Sequence, residues 1–293
     1  MKKRKSIILC CMCILILAAC QVKETETGGR IAVGQYMSLK EACRQEPRTY
    51  TFVDVYGEKY EAEFLEDVPG CTYDYKRLTE KNGFKYYLDE KGVPSSRLGI
   101  DVSMFQPEVD WKKVQDSGIE FVMIRLGYRG YGDDGKLVED ECFKKHIEGA
   151  MEAGLDIGVY FFSQAIDEEE TLEEAQFVLE RIKDYPISAP VVFDTEEIKF
   201  DTARTDHLSG EQFTQNCIIF CDAIEKAGYD SMIYANMKWL AFTLDLRALS
   251  AYNIWYADYE AVPQNPYMFS MWQYTEEGAV PGIPGDVDIN LWF

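Results

Sequence analysis

Pro190-Val191-Val192-Phe193-Asp194-Thr195-Glu196 is an apolar run of strand length that ends in two carboxylates. Outward from it, runs of similar length recur at Leu98–Ser103, Phe121–Leu126, Asp156–Phe162, Ser231–Ala235, Asn253–Ala257, Phe269–Tyr274 and Val287–Trp292. Between the earlier runs, Asp110–Asp116, Asp140–Ala153, Asp167–Asp184 and Ser209–Ala227 carry apolar residues near helical spacing. Asp167 with Glu170 and Ser209 with Gln212 have the spacing of a capping box. Gly118, Gly154 and Gly228 stand where left-handed C-caps are needed. Eight strands alternating with helices over about 195 residues predict an α/β fold, either a parallel barrel or a doubly wound sheet. The last strands follow one another with little room for helices, so a barrel would be incomplete on that side.

The flanking sequence is of another kind. The chain opens on the basic segment Met1-Lys2-Lys3-Arg4-Lys5, and Ile7–Ala19 is an apolar run of thirteen residues. That is short of the roughly 20 residues that span a bilayer, so residues 1–19 read as a signal peptide. Leu17-Ala18-Ala19-Cys20 resembles the lipobox of bacterial lipoproteins, which implies lipidation of Cys20 and a membrane-anchored protein outside the cytoplasm. Residues 20–34 are polar and Gly-bearing, a flexible tether. Residues 35–96 hold short alternating runs such as Tyr50–Val55 and Tyr60–Phe64, a small β-rich appendage ahead of a main domain at 97–293.

Composition narrows the partners. Of 293 residues, 30 are Lys or Arg and 51 Asp or Glu; without the first nineteen, 26 basic face 51 acidic groups, a net charge of −25. So acidic a surface repels phosphate backbones, and nucleic acid is excluded as a partner. Five cysteines follow Cys20 (Cys43, Cys71, Cys142, Cys217 and Cys221), an odd number that cannot close a complete disulfide framework. Cys43 and Cys71 are candidates for a pair. Cys217 and Cys221 share a helix face and read as buried small residues rather than metal ligands.

In parallel α/β folds the reactive groups sit at the C-terminal ends of the strands. Asp194 and Glu196 point to the same side there, about 7 Å apart at Cα, with Thr195 turned away. Converging carboxylates repel, and one of them holds its proton to higher pH. An acid beside an ionised carboxylate is what glycosidic cleavage requires. Asp101 ends the first strand and Asp288 lies in the last, and in a closed barrel those strands are neighbours. Aromatic residues, including Tyr160, Trp255, Tyr259 and Trp272, crowd the strand ends, where ring faces stack on sugars.

The blocks Gly99–Trp111, Phe121–Gly130, Gly158–Ala165, Pro190–Glu196, Ile254–Tyr259, Met271–Thr275 and Val287–Asn290 resemble, in order, the glycoside hydrolase family 25 lysozymes, bacterial and phage N-acetylmuramidases. The resemblance implies an incomplete (β/α) barrel of the TIM type. It implies cleavage of the β-1,4 bond between N-acetylmuramic acid and N-acetylglucosamine, with Glu196 as general acid. Asp194, Asp101 and Asp288 would be the other active-site carboxylates. Asp194 would raise the pKa of Glu196 and orient the substrate's acetamido group, the nucleophile commonly argued for this family. Tyr160, Trp255, Tyr259, Trp272 and Gln273 would line the sugar groove. The partner implied is the peptidoglycan glycan strand, engaged by a monomer with no cofactor and no metal.

The alternative is a wall-binding lipoprotein without catalysis, although a pure binder has no need of four converging carboxylates. With only His146 and His207, an imidazole-based metal site or a Ser-His-Asp hydrolase has little support. No G-x-S-x-G elbow is present, and Gly127, Gly130 and Gly132 do not form a phosphate loop.

Overall fold

The structure, a computed structural model, describes residues 47–199 and 201–293. The signal peptide, the tether, Cys20 and Cys43 lie outside the described residues. Arg48–Phe293 form one compact unit.

Eight strands close a barrel in the order β5 (Arg97–Val102), β13 (Val287–Trp292), β12 (Met271–Gly278), β11 (Ile254–Ala257), β10 (Ser231–Asn236), β9 (Val191–Asp194), β8 (Asp156–Phe162) and β6 (Phe121–Arg129). Pairing of β5 with β6 completes the ring, and β7 (Leu137–Glu139) hangs outside it, antiparallel to β6. The eight strands fall on the runs read from the sequence. One feature differs from an all-parallel barrel: β13 runs antiparallel to both β12 and β5. Only residues 279–286 join β12 to β13, too few for the crossover that a parallel return needs.

Helices α1 (Trp111–Asp116), α2 (Phe143–Ala153), α3 (Glu168–Ile182) and α4 (Gly210–Lys226) cover the first two-thirds of the ring, and the short α5 (Met237–Phe242) follows β10. The caps follow the predicted chemistry. Asp167 accepts from Glu170 N at 3.0 Å while Glu170 Oε2 accepts from Ile166 N, also at 3.0 Å. Ser209 accepts from Gln212 N at 3.2 Å. A small inner core of Phe121, Met123, Val192, Met232, Trp255 and Met271 fills the barrel. The larger core lies outside it, against the helices and residues 48–96.

The N-terminal segment covers the side where helices are missing. Hairpins β1 (Thr49–Val53) with β2 (Lys59–Glu63) and β3 (Leu78–Lys81) with β4 (Phe84–Tyr87) precede the barrel. Tyr73 stacks on Phe293 at 4.2 Å, Lys85 Nζ lies 4.8 Å above the Trp272 ring, and Gly70 bridges Tyr267. Aromatic side chains here do the work of covering the barrel wall that helices do elsewhere.

Candidate active site

The antiparallel turn of β13 matters for the site. Because β13 runs against its neighbours, Asp288 near its start pairs across the sheet with Asp101 near the end of β5. Both therefore open onto the mouth where β9 delivers Asp194 and Glu196. A cleft of 290 Å³ there is lined by all four carboxylates, with Tyr160, Phe105 and Arg125.

Gln273 ties the floor together. Its Nε2 donates to Asp101 Oδ2 at 2.9 Å and to Asp288 Oδ2 at 3.2 Å, while its Oε1 accepts from the hydroxyls of Tyr234 and Tyr259, both at 3.0 Å. Asn290 Nδ2 donates to Asp101 Oδ2 at 2.8 Å, and Asn290 Oδ1 accepts from Trp255 Nε1 at 2.7 Å. Burial raises the Asp101 carboxyl's pKa, and the two amide donors oppose this by favouring its ionised form. Asp288 is pushed up to about 10 by burial and then by the Asp101 charge, so this pair holds a proton at neutral pH.

Asp194 and Glu196 form the second pair. Asp194 is 4% exposed, and its pKa lies well above the usual carboxylate range through burial first and the Glu196 charge second. Its Oδ1 is buried and has no hydrogen-bond partner. Glu196, half-buried at the cleft, is raised to about 7. The chief cause is burial; the hydrogen bond from Asp194 pulls the other way, and the charges of Asp101 and Glu276 add to the rise. Both carboxyls are raised by burial, and each biases where the proton of the pair resides.

The aromatic expectations divide by strand alternation. Tyr160 lines the cleft and packs edge-on against Trp255 at 5.9 Å. Trp255 points into the barrel but is 1% exposed, so it holds up the floor through Asn290 rather than lining the groove. Tyr259 sits half-buried above Gln273. Trp272 does not belong to the groove. It is fully buried on the outer side of β12, and its Nε1 donates to Asp258 O at 2.7 Å. Its neighbours Met271 and Gln273 point inward, so period-two alternation forbids Trp272 from doing so.

Residues not singled out from the sequence complete the site. Arg125, alone among the hydrophobic residues of β6's first half, enters the cleft with its Nε held by Asp140 Oδ2 at 2.7 Å. Its positive charge opposes the rise of the Asp194 pKa. A lone arginine in an apolar strand was the available signal. Asn290 and Tyr234 carried none beyond their place on inward positions. His146 is fully buried, its Nε2 3.1 Å from Ser103 O, and burial lowers its pKa. It packs edge-on against Trp111, away from the carboxylates.

The sequence profile of the glycosyl hydrolases family 25 matches residues 100–283. The autolytic lysozyme of Clostridium acetobutylicum is 27% identical over 193 residues, covering 66% of this chain and 54% of that protein. The chain thus spans about half the length of that relative. The modular autolysin LytC from Streptococcus pneumoniae, solved in complex with a synthetic peptidoglycan ligand, superposes with a TM-score of 0.60 at 24% identity, over 84% of this chain and 56% of that one. A family 25 glycosyl hydrolase from Bacillus anthracis gives a TM-score of 0.57 at 20% identity, over 75% of this chain and 94% of that one. These two solved structures share the fold.

Proposed function

This chain belongs to the glycosyl hydrolases of family 25, and we propose that it is a muramidase that cuts the β-1,4 bond between N-acetylmuramic acid and N-acetylglucosamine in peptidoglycan. The observation that carries this reading is the pairing of four carboxylates in one cleft, with Glu196 raised to about 7. A glycosidic oxygen leaves poorly unless it is protonated, and an acid titrating near neutrality is best matched to that task. Glu196 is the more exposed of its pair and reaches the leaving oxygen. Asp194 beneath it shares the proton and orients the acetamido group, which attacks from within the substrate. Asp101, with Asp288 holding a proton against it, supplies negative charge for the oxocarbenium-like transition state. Gln273 and Tyr259 keep those carboxyls in register, and Tyr160 borders the sugar. The likeness to an autolytic lysozyme supports the same bond as substrate.

The test is digestion of purified peptidoglycan by the parent and by Glu196→Gln, with the new reducing ends identified by mass spectrometry. Muramic acid ends from the parent, released roughly 10²- to 10⁴-fold more slowly by the variant, are expected. Glucosamine ends would contradict the bond assignment. No products from either, with tight retention on the wall, would favour a binding protein instead. The lipobox at Leu17–Cys20 further supports an enzyme tethered by lipid to the outer face of a membrane, acting extracytoplasmically.

A further inference from the structure

The hairpin β1–β2 lies outside the segment that matches the family, yet its tip reaches Glu196. Asp54, Val55 and Tyr56 at that tip share a crevice with Glu196, Glu197 and Lys199. The hairpin is firmly seated. Gln264 donates to Val53 O and accepts from Val53 N, both at 2.8 Å, and Phe52 packs at 1% exposure against Tyr60 and Phe242. The turn is rigid as well: Asp54 Oδ1 accepts from the amides of Tyr56 and Glu58, each at 2.9 Å, and Gly57 takes φ +83°. This scaffold presents Tyr56 with 57% of its surface open to solvent. Lys199 Nζ lies over the ring.

Glu196 also borders a second groove of 510 Å³, lined by Leu208, Trp239 and Phe242, on the side away from Phe105. In the barrel order, β5 (which precedes Phe105) and β10 (which precedes Trp239) lie diametrically opposite. A glycan strand that runs from the central cleft over Glu196 into this groove would pass on the hairpin's side. An exposed aromatic ring on a fixed turn, in a crevice that shares Glu196 and Trp239 with this groove, is suited to stack on a pyranose face.

We propose that Tyr56 is a sugar-binding residue of an extended glycan subsite that the N-terminal hairpin adds to the family's barrel. The occupant is a hexosamine ring of the same strand, beyond the bond that is cut. This inference rests on the muramidase reading. Its test compares parent, Tyr56→Ala and Tyr56→Phe on long glycan strands stripped of peptides and on tetrasaccharides of the same sugars. Tyr56→Ala should raise KM for long strands about 3- to 10-fold, the worth of one aromatic stacking contact. The loss should be carried by KM rather than kcat, and Tyr56→Phe should match the parent.

An unchanged KM on long strands would overturn the proposal. So would an equal loss on tetrasaccharides, or a loss confined to wall that still bears peptides, which would make the ring a peptide contact. If the parent releases no reducing ends, the muramidase reading has failed, and the hairpin is tested separately by sedimentation with stripped strands. Weaker retention of Tyr56→Ala than of parent and Tyr56→Phe then supports the subsite, and equal retention refutes it.

Discussion

At the scale of the residue, the site depends on one neutral amide. Gln273 donates to two carboxylates and accepts from two tyrosines, so it fixes groups that would otherwise repel. Gln273→Leu keeps the volume and strands these partners; a buried polar group left unpaired costs about 1–3 kcal/mol. Urea unfolding should show a loss of that order, with peptidoglycan cleavage also reduced; unchanged stability would mean that the tyrosines and acids find other partners. The four acids were legible in the sequence because each ends or begins an apolar strand. Glu196 was legible as an acid, but the source of its raised pKa was not, since burial depends on what packs around it. Trp272 shows the opposite limit: composition placed it with the sugar-binding aromatics, while strict alternation from the inward Gln273 turns it out of the barrel.

At the scale of the element, the loop after β9 is held through buried charge. Arg129 on β6 is 4% exposed, and its Nε bonds Glu174 Oε1 on α3 at 2.8 Å. Its Nη2 also donates to Glu170 O at 2.8 Å. Glu170 in turn grips Arg204, from the segment that follows Glu196, through both carboxylate oxygens at 2.7 and 2.9 Å. Burial pushes the Glu174 carboxyl up to about 7, against the pull of Ser163 and Arg129, which marks how little water reaches it. Breaking such a pair leaves a buried charge alone, so Arg129→Met should cost about 3–5 kcal/mol in urea unfolding. A loss below about 1 kcal/mol would mean that Glu174, freed of the pull of Arg129, takes up a proton or is solvated by water. Strand and helix positions were readable from periodicity and caps, but the reversed direction of β13 was not. An apolar run carries no sign for its direction; the short 279–286 connection did, and it is also what brings Asp288 to Asp101.

At the scale of the whole molecule, residues 48–96 belong to the same compact unit as the barrel. Their sequence shows alternating runs and turn residues without recognisable chemistry. Their role emerges only from packing, where they cover the helix-poor wall through Tyr73, Lys85 and their partners and carry Tyr56 to the cleft rim. Nothing in a linear pattern states that a hairpin will dock more than a hundred residues downstream. The lipid anchor proposed at Cys20 belongs to this scale too. Cells making the Cys20→Ser form should release the protein from the membrane fraction, detected by immunoblot; retention equal to the parent would contradict lipidation.

The central claim is that Glu196 delivers the proton to the leaving sugar, and the pH dependence of kcat/KM on peptidoglycan strands addresses it most directly. An acid must be protonated to act, so a carboxyl raised to about 7 is active below that value and loses its proton above it. The rate should fall on an alkaline limb centred near neutrality, and Glu196→Gln should lack that limb at a much lower rate. A parent rate that stays level or climbs well above neutrality, or a Glu196→Gln enzyme that keeps both the limb and the rate, would contradict the account.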